Sequence, residues 1–310
     1  MNREINDPDD RDDLDARASV WGVEPVLAAL AESDATSPPA SIRSRLLERV
    51  AASPRAYAEP MSPGELYASR VAALQSLLAE LDDDDWGCVA SPYEWTVHGL
   101  IAHLLVIEQY SAALLGLGAM PPGDAGDHLA LGADAIAVEL EGSPQATVEH
   151  WSAVAQSIVD HVRSDRFDPN APMSMHGWPF SVSSGLVARA FELWTHTDDI
   201  CRATGRDTRS AGARELRTMS SFSVSALPFL LPSVDPDLAM APTRVVLTGS
   251  GGGTFDIGGR GERAALVVTD VVDYCRVVAR RIDPGELERT VEGDARLVAG
   301  LLEASRAFAV

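Results

Sequence analysis

The 310-residue chain carries 25 basic against 46 acidic residues, a formal net charge of −21. Phosphate backbones are gripped by clustered Lys and Arg, so this balance argues against a polyanion-binding surface and excludes nucleic acid as a direct partner. A hydrophobic share of 46% is enough to bury a core, and the length points to two domains rather than one.

The opening residues Met1 to Arg17 are acidic and polar, whereas an export signal needs a basic start and an apolar run. No uninterrupted apolar stretch reaches the roughly 18–20 residues that cross a bilayer. The expectation is therefore a cytoplasmic protein with no membrane partner. Cys88, Cys201 and Cys275 are an odd count without a CxxC pair, which fits reduced, mostly buried thiols rather than a disulfide framework or a thiolate metal site.

Residues 1–60 read as an acidic, partly disordered extension with one or two short helices, the first within 21–35. In the stretch from Ser41 to Pro54, Ile42, Leu46, Leu47 and Val50 fall at helical spacing on an otherwise charged segment. That pattern suits either a helix packed on its own protein or a docking helix for a partner. A domain spanning 61–208 opens at Met61-Ser62-Pro63-Gly64-Glu65, where Ser62 can cap, Pro63 occupies the first turn and Glu65 completes a capping box. The first long helix ends before Asp82 to Asp85, four acids that read as a solvated helix end. A second helix starts near Trp95. A third is capped by Ser143, with some helix before it near residues 133–141, and the Pro-rich stretch 165–180 reads as a loop. The fourth helix runs from Ser183 to Thr204, with Gly205 as its stop. Past residue 209 the pattern changes to a helix near 213–230, three short strands near 243–249, 253–259 and 264–270 separated by glycine-rich turns, and two more helices near 271–281 and 295–309. The fold class is α+β: a four-helix bundle followed by a small α/β C-terminal domain, residues 209–310.

Glu192 and His196 lie four positions apart in a helix, so both side chains share one face and can grip one ion. Among seven histidines, His103, midway along the second helix, is the best candidate for a third ligand. Two imidazoles and one carboxylate suit zinc, with a fourth position left open. His98 lies five residues before His103 and rotates away from that face, which makes it a surface or groove residue. His128, His150, His161 and His176 have no partner at ligand spacing. Asp199, in the next turn after His196, is either an acceptor behind the ligand or a solvated acid.

The segment Trp95-Thr96-Val97-His98-Gly99-Leu100-Ile101-Ala102-His103-Leu104, with Glu192-Leu193-Trp194-Thr195-His196-Thr197-Asp198-Asp199, resembles the DinB-like superfamily and, more narrowly, the mycothiol-dependent maleylpyruvate isomerase family. The resemblance implies that His103, Glu192 and His196 hold a divalent metal, zinc first, and that mycothiol is the thiol cofactor. In such isomerases the thiolate adds to a conjugated cis double bond, rotation about the resulting single bond follows, and elimination returns the trans isomer. Other relatives transfer the thiol to an electrophile. Residues 275–281 and 292–309 resemble the second domain of this family, which implies an arginine for the carboxylate of a small-molecule substrate. Arg280 and Arg281 are the candidates, since a guanidinium offers a planar pair of donors.

The stretch Ser37 to Val50 resembles the linker of actinobacterial anti-sigma factors, which implies a second reading in which residues 36–54 dock a sigma factor or another protein and the bundle serves as sensor or scaffold. The zinc-binding His-x-x-x-Cys-x-x-Cys element of many such regulators is absent, because no cysteine precedes Cys88. A third reading keeps the bundle but makes its metal purely structural.

Overall fold

The computed structural model describes residues 58–121, 132–175 and 178–308. The expectations for residues 1–57, including the docking segment 36–54, lie outside the described residues, as do His128 and His176.

Helix α1 (Pro63–Leu78) begins at the anticipated capping box: the Ser62 hydroxyl accepts from the Glu65 amide, and Glu65 Oε2 accepts from the Ser62 amide at 3.1 Å. Three of the four acids after it open a 3-10 turn (Asp83–Gly87), in which Asp85 pairs with Arg206 at 2.9 Å, while Asp82 precedes the turn and stays exposed. Two short strands, β1 (Val89–Ala90) and β2 (Trp95–Thr96), clip together and feed directly into α2 (Val97–Leu114), whose first turn is capped by Thr96. Helix α2 is apolar on nearly every face because it is central. Among the described residues it has the length and mean hydropathy of a membrane span, yet 83% of it is buried inside the protein. After α3 (Ala133–Leu140) and α4 (Pro144–Val162), the stretch read as a loop holds an antiparallel hairpin of β3 (Pro172–Met175) and β4 (Trp178–Ser181). Helix α5 (Val182–Ala203) follows, stopped by Gly205 at φ 66°, a left-handed residue that suits glycine. The four long helices pack α1 against α5 and α2 against α4, giving the expected DinB-like bundle.

Helix α6 (Ala213–Val234) leads into a four-stranded sheet in the order β6-β5-β7-β8. Strands β5 (Thr243–Thr248) and β7 (Ala265–Asp270) are parallel and central, and their buried Val245, Val246, Leu247, Leu266 and Val267 explain the unbroken apolar runs in the sequence. Strand β6 (Gly253–Ile257) closes one edge and β8 (Arg289–Gly293) the other. The sequence reading missed β8, because an edge strand of Arg, Thr, Val, Glu and Gly has no apolar alternation to announce it. Helices α7 (Val271–Val278) and α8 (Ala295–Ser305) pack with α6. Helix α7 is shorter than anticipated because Arg280 takes a left-handed φ of 57° and turns the chain. One hydrophobic core runs without a break from Leu66 in α1 to Leu302 in α8, so the bundle and the α/β region share it.

Candidate metal centre

Helix α2 delivers His103 and helix α5 delivers Glu192 and His196, and their ligand atoms all lie within 4.8 Å of one another. His103 Nε2 is 3.4 Å and His196 Nε2 3.9 Å from the same atom, Glu192 Oε1. The two imidazoles stand nearly perpendicular, at 83°, with ring centroids 6.0 Å apart. Both histidines are buried, and although the Glu192 side chain is 20% exposed, its Oε1 atom, which faces them, is buried too. The donor set fits zinc: two nitrogens and one carboxylate oxygen are zinc ligands, and a tetrahedron with bonds of about 2.0–2.1 Å has edges of about 3.3–3.4 Å, which the 3.4 Å separation matches while the 3.9 Å one is wider.

Glu192 and His196 are each held from behind. Glu192 Oε2 accepts from Arg189, one turn earlier on the same face of α5, which turns Oε1 toward the histidines. Arg189 also donates to Glu108 Oε1 at 3.0 Å, and the Tyr67 hydroxyl donates to Glu108 Oε2 at 2.8 Å. Burial works against the charge on Arg189, but the carboxylates of Glu108 and Glu192 outweigh it and hold its pKa above the ordinary arginine value. Burial and the neighbouring Glu108 push the Tyr67 hydroxyl well above its usual range. On the other side, His196 Nδ1 meets Asp199 Oδ2 at 3.0 Å. Asp199 is 1% exposed, so of its two readings the acceptor behind the ligand is the one the geometry supports. Burial raises the Asp199 carboxyl, yet hydrogen bonds from Arg281 and His196 prevail and its pKa lies below the usual value.

Aromatic rings wall the cluster. Trp95 tilts against His103 at 4.7 Å between centroids, Tyr93 meets His196 edge-on at 6.0 Å, and the two rings stack at 5.1 Å.

The two candidate arginines part company. Arg281 is buried and donates to both oxygens of Asp199. Arg280, at a left-handed φ of 57°, is exposed, and its Nε donates to the carbonyl of Arg306. His98 is corrected: it is 9% exposed, packed between helices with Nε2 3.0 Å from Thr147 Oγ1. His150 pairs with Glu139 at 2.9 Å. Arg189, Glu108, Tyr67 and Tyr93 escaped the sequence reading. Signals existed: Arg189 sits three residues before Glu192, and Glu108 is a lone acid on an apolar helix.

Residues 67–201 match the family described as mycothiol maleylpyruvate isomerase N-terminal domain. Two crystal structures, both of the mycothiol-dependent maleylpyruvate isomerase and one of them a histidine-to-alanine mutant, superpose with a TM-score of 0.51 at 14% identity, over 74% of this chain and 91% of theirs. At that identity the likeness is one of fold. No curated protein matches the sequence.

Proposed function

We propose that this chain is a metal-dependent enzyme of the mycothiol type, an isomerase or S-transferase acting on a small electrophilic, carboxylate-bearing molecule. The observation that carries the reading is the convergence of His103, Glu192 and His196 within 4.8 Å inside the segment that matches the mycothiol isomerase family. His103 Nε2, His196 Nε2 and Glu192 Oε1 would hold the ion, zinc by donor set, and leave one coordination position for a further ligand. A zinc ion there would act as a Lewis acid that favours the thiolate over the thiol near neutral pH. The thiol cofactor would supply a sulfur nucleophile that adds reversibly to an electrophilic carbon.

The protein's own groups do the rest. Arg189 keeps one Glu192 oxygen occupied so that the other faces inward. Asp199 holds the Nδ1 proton of His196 and presents Nε2. Trp95 and Tyr93 cover the imidazoles and limit the entry of water.

The test is turnover of a maleylpyruvate-type cis-enone acid with and without mycothiol. Thiol-dependent turnover should disappear on chelation, return with zinc, and be absent in His103→Ala. Metal-replete protein that shows no thiol-dependent isomerase or transferase activity on such electrophiles contradicts the enzyme reading.

A further inference from the structure

We infer that Arg281 is a positioning residue of this metal centre: carried by the C-terminal α/β region, it clamps Asp199 and thereby fixes the His196 imidazole that α5 presents. The inference deepens the metal reading above and rests on it. Each of the three guanidinium nitrogens of Arg281 donates to a protein oxygen. Nε donates to Asp199 Oδ1 at 2.8 Å, Nη2 to Asp199 Oδ2 at 2.5 Å, and Nη1 to the Ala279 carbonyl at 2.7 Å. The planar fork that a substrate carboxylate would need is therefore filled by a carboxylate of the protein.

Asp199 passes the constraint on. An ionised carboxylate only accepts, so the 3.0 Å contact with His196 requires Nδ1 to carry the hydrogen, which leaves the Nε2 lone pair facing Glu192. Both members of the clamp are buried, Arg281 at 6% and Asp199 at 1% exposed, so water cannot replace either partner cheaply. Tyr93 braces the arrangement, lying 5.3 Å from the Arg281 guanidinium and edge-on to His196. The turn at Arg280 is what aims Arg281 inward, and its amide is tied to the Arg276 carbonyl at 2.7 Å. A residue that touches no metal thus sets the geometry of one that does, from outside the segment that matches the family domain.

The experiment uses the full chain, with zinc affinity measured against a chromophoric chelator and the visible absorption of the cobalt(II)-loaded protein. Arg281→Met and Asp199→Asn should each weaken zinc by about 10–100-fold and shift the cobalt bands. The double variant should lose no more than the worse single, because the two groups act as one chain. Arg281→Lys, which keeps charge without a fork, should fall between, and Arg296→Ala, a surface arginine paired with Asp235, should match the wild type. A folded Arg281→Met protein with wild-type zinc affinity and cobalt spectrum overturns the inference. If Arg281→Met does not fold, Asp199→Asn decides by the same criterion. Wild-type protein that takes up neither ion sinks the metal reading itself, and this inference with it.

Discussion

Glu192 has two oxygens with two duties: Oε2 is held by Arg189 and Oε1 faces the histidines. Removing Arg189 should therefore have separable effects. Arg189→Met leaves Glu108 buried without its cation, which costs roughly 3–5 kcal/mol in urea unfolding. It also frees Glu192 to turn, lowering zinc affinity by about 10–100-fold in chelator competition. Adding Glu108→Leu should restore much of the stability, since an apolar pair can replace an ion pair, but not the affinity. Recovery of both would mean that Arg189 only supports the fold. At this scale the sequence was legible where spacing carries geometry, as for Glu192 and His196 one turn apart. It was not legible for His98, because rotation away from the metal face says nothing about whether another helix covers that side. The pair Arg280 and Arg281 shows the same limit: which of the two turns inward depends on one left-handed φ that their chemistry does not encode.

Elements were readable where caps and long apolar periods coincide. The Ser62 box and the cap at Ser143 are both formed as the sequence implied. The cap on α2 matters more for function, since that helix carries His103: the Thr96 hydroxyl accepts from the Gly99 amide at 3.1 Å. Thr96→Ala should cost about 1 kcal/mol in thermal or urea unfolding, and Thr96→Ser should recover most of it. The hairpin β3–β4 was hidden because Pro172 and Pro179 look like loop residues, yet an isolated two-stranded ribbon has outer edges where proline loses no bond. At the β6 edge of the four-stranded sheet, Arg244 grips Asp256 across β5 and β6, and that hydrogen bond holds the Asp256 carboxyl below the usual range. A lowered folded value means the pair stabilises above the ordinary carboxyl pKa near ~3.9 and loses that contribution as pH falls through the lowered one. The Asp256 side chain is 64% exposed, so screening keeps the effect small. Asp256→Asn should cost less than about 1 kcal/mol at pH 7, with the gap closing as the medium becomes strongly acidic. A gap that widens in acid would contradict the assignment.

For the molecule as a whole, the bundle and the α/β region share one core and are also joined through charge. Arg281 reaches Asp199, and Arg70 of α1 reaches Glu215 of α6 at 2.5 Å. The change from long helices to mixed strands and helices after residue 209 could be read from the periodicity, but the contacts that join the two stretches could not, because their residues are distant in sequence. A metal bound only by folded protein stabilises that protein by mass action, about 4 kcal/mol at a thousandfold excess over Kd. Excess zinc should therefore raise the melting temperature of the wild type and leave Glu192→Ala unmoved. The most direct measurement is X-ray absorption of zinc-loaded protein. The account predicts nitrogen and oxygen scatterers at about 2.0–2.1 Å, with the outer-shell signature of two imidazoles that falls to one in His103→Ala. A spectrum dominated by sulfur at about 2.3 Å, or one unchanged by that substitution, would contradict it.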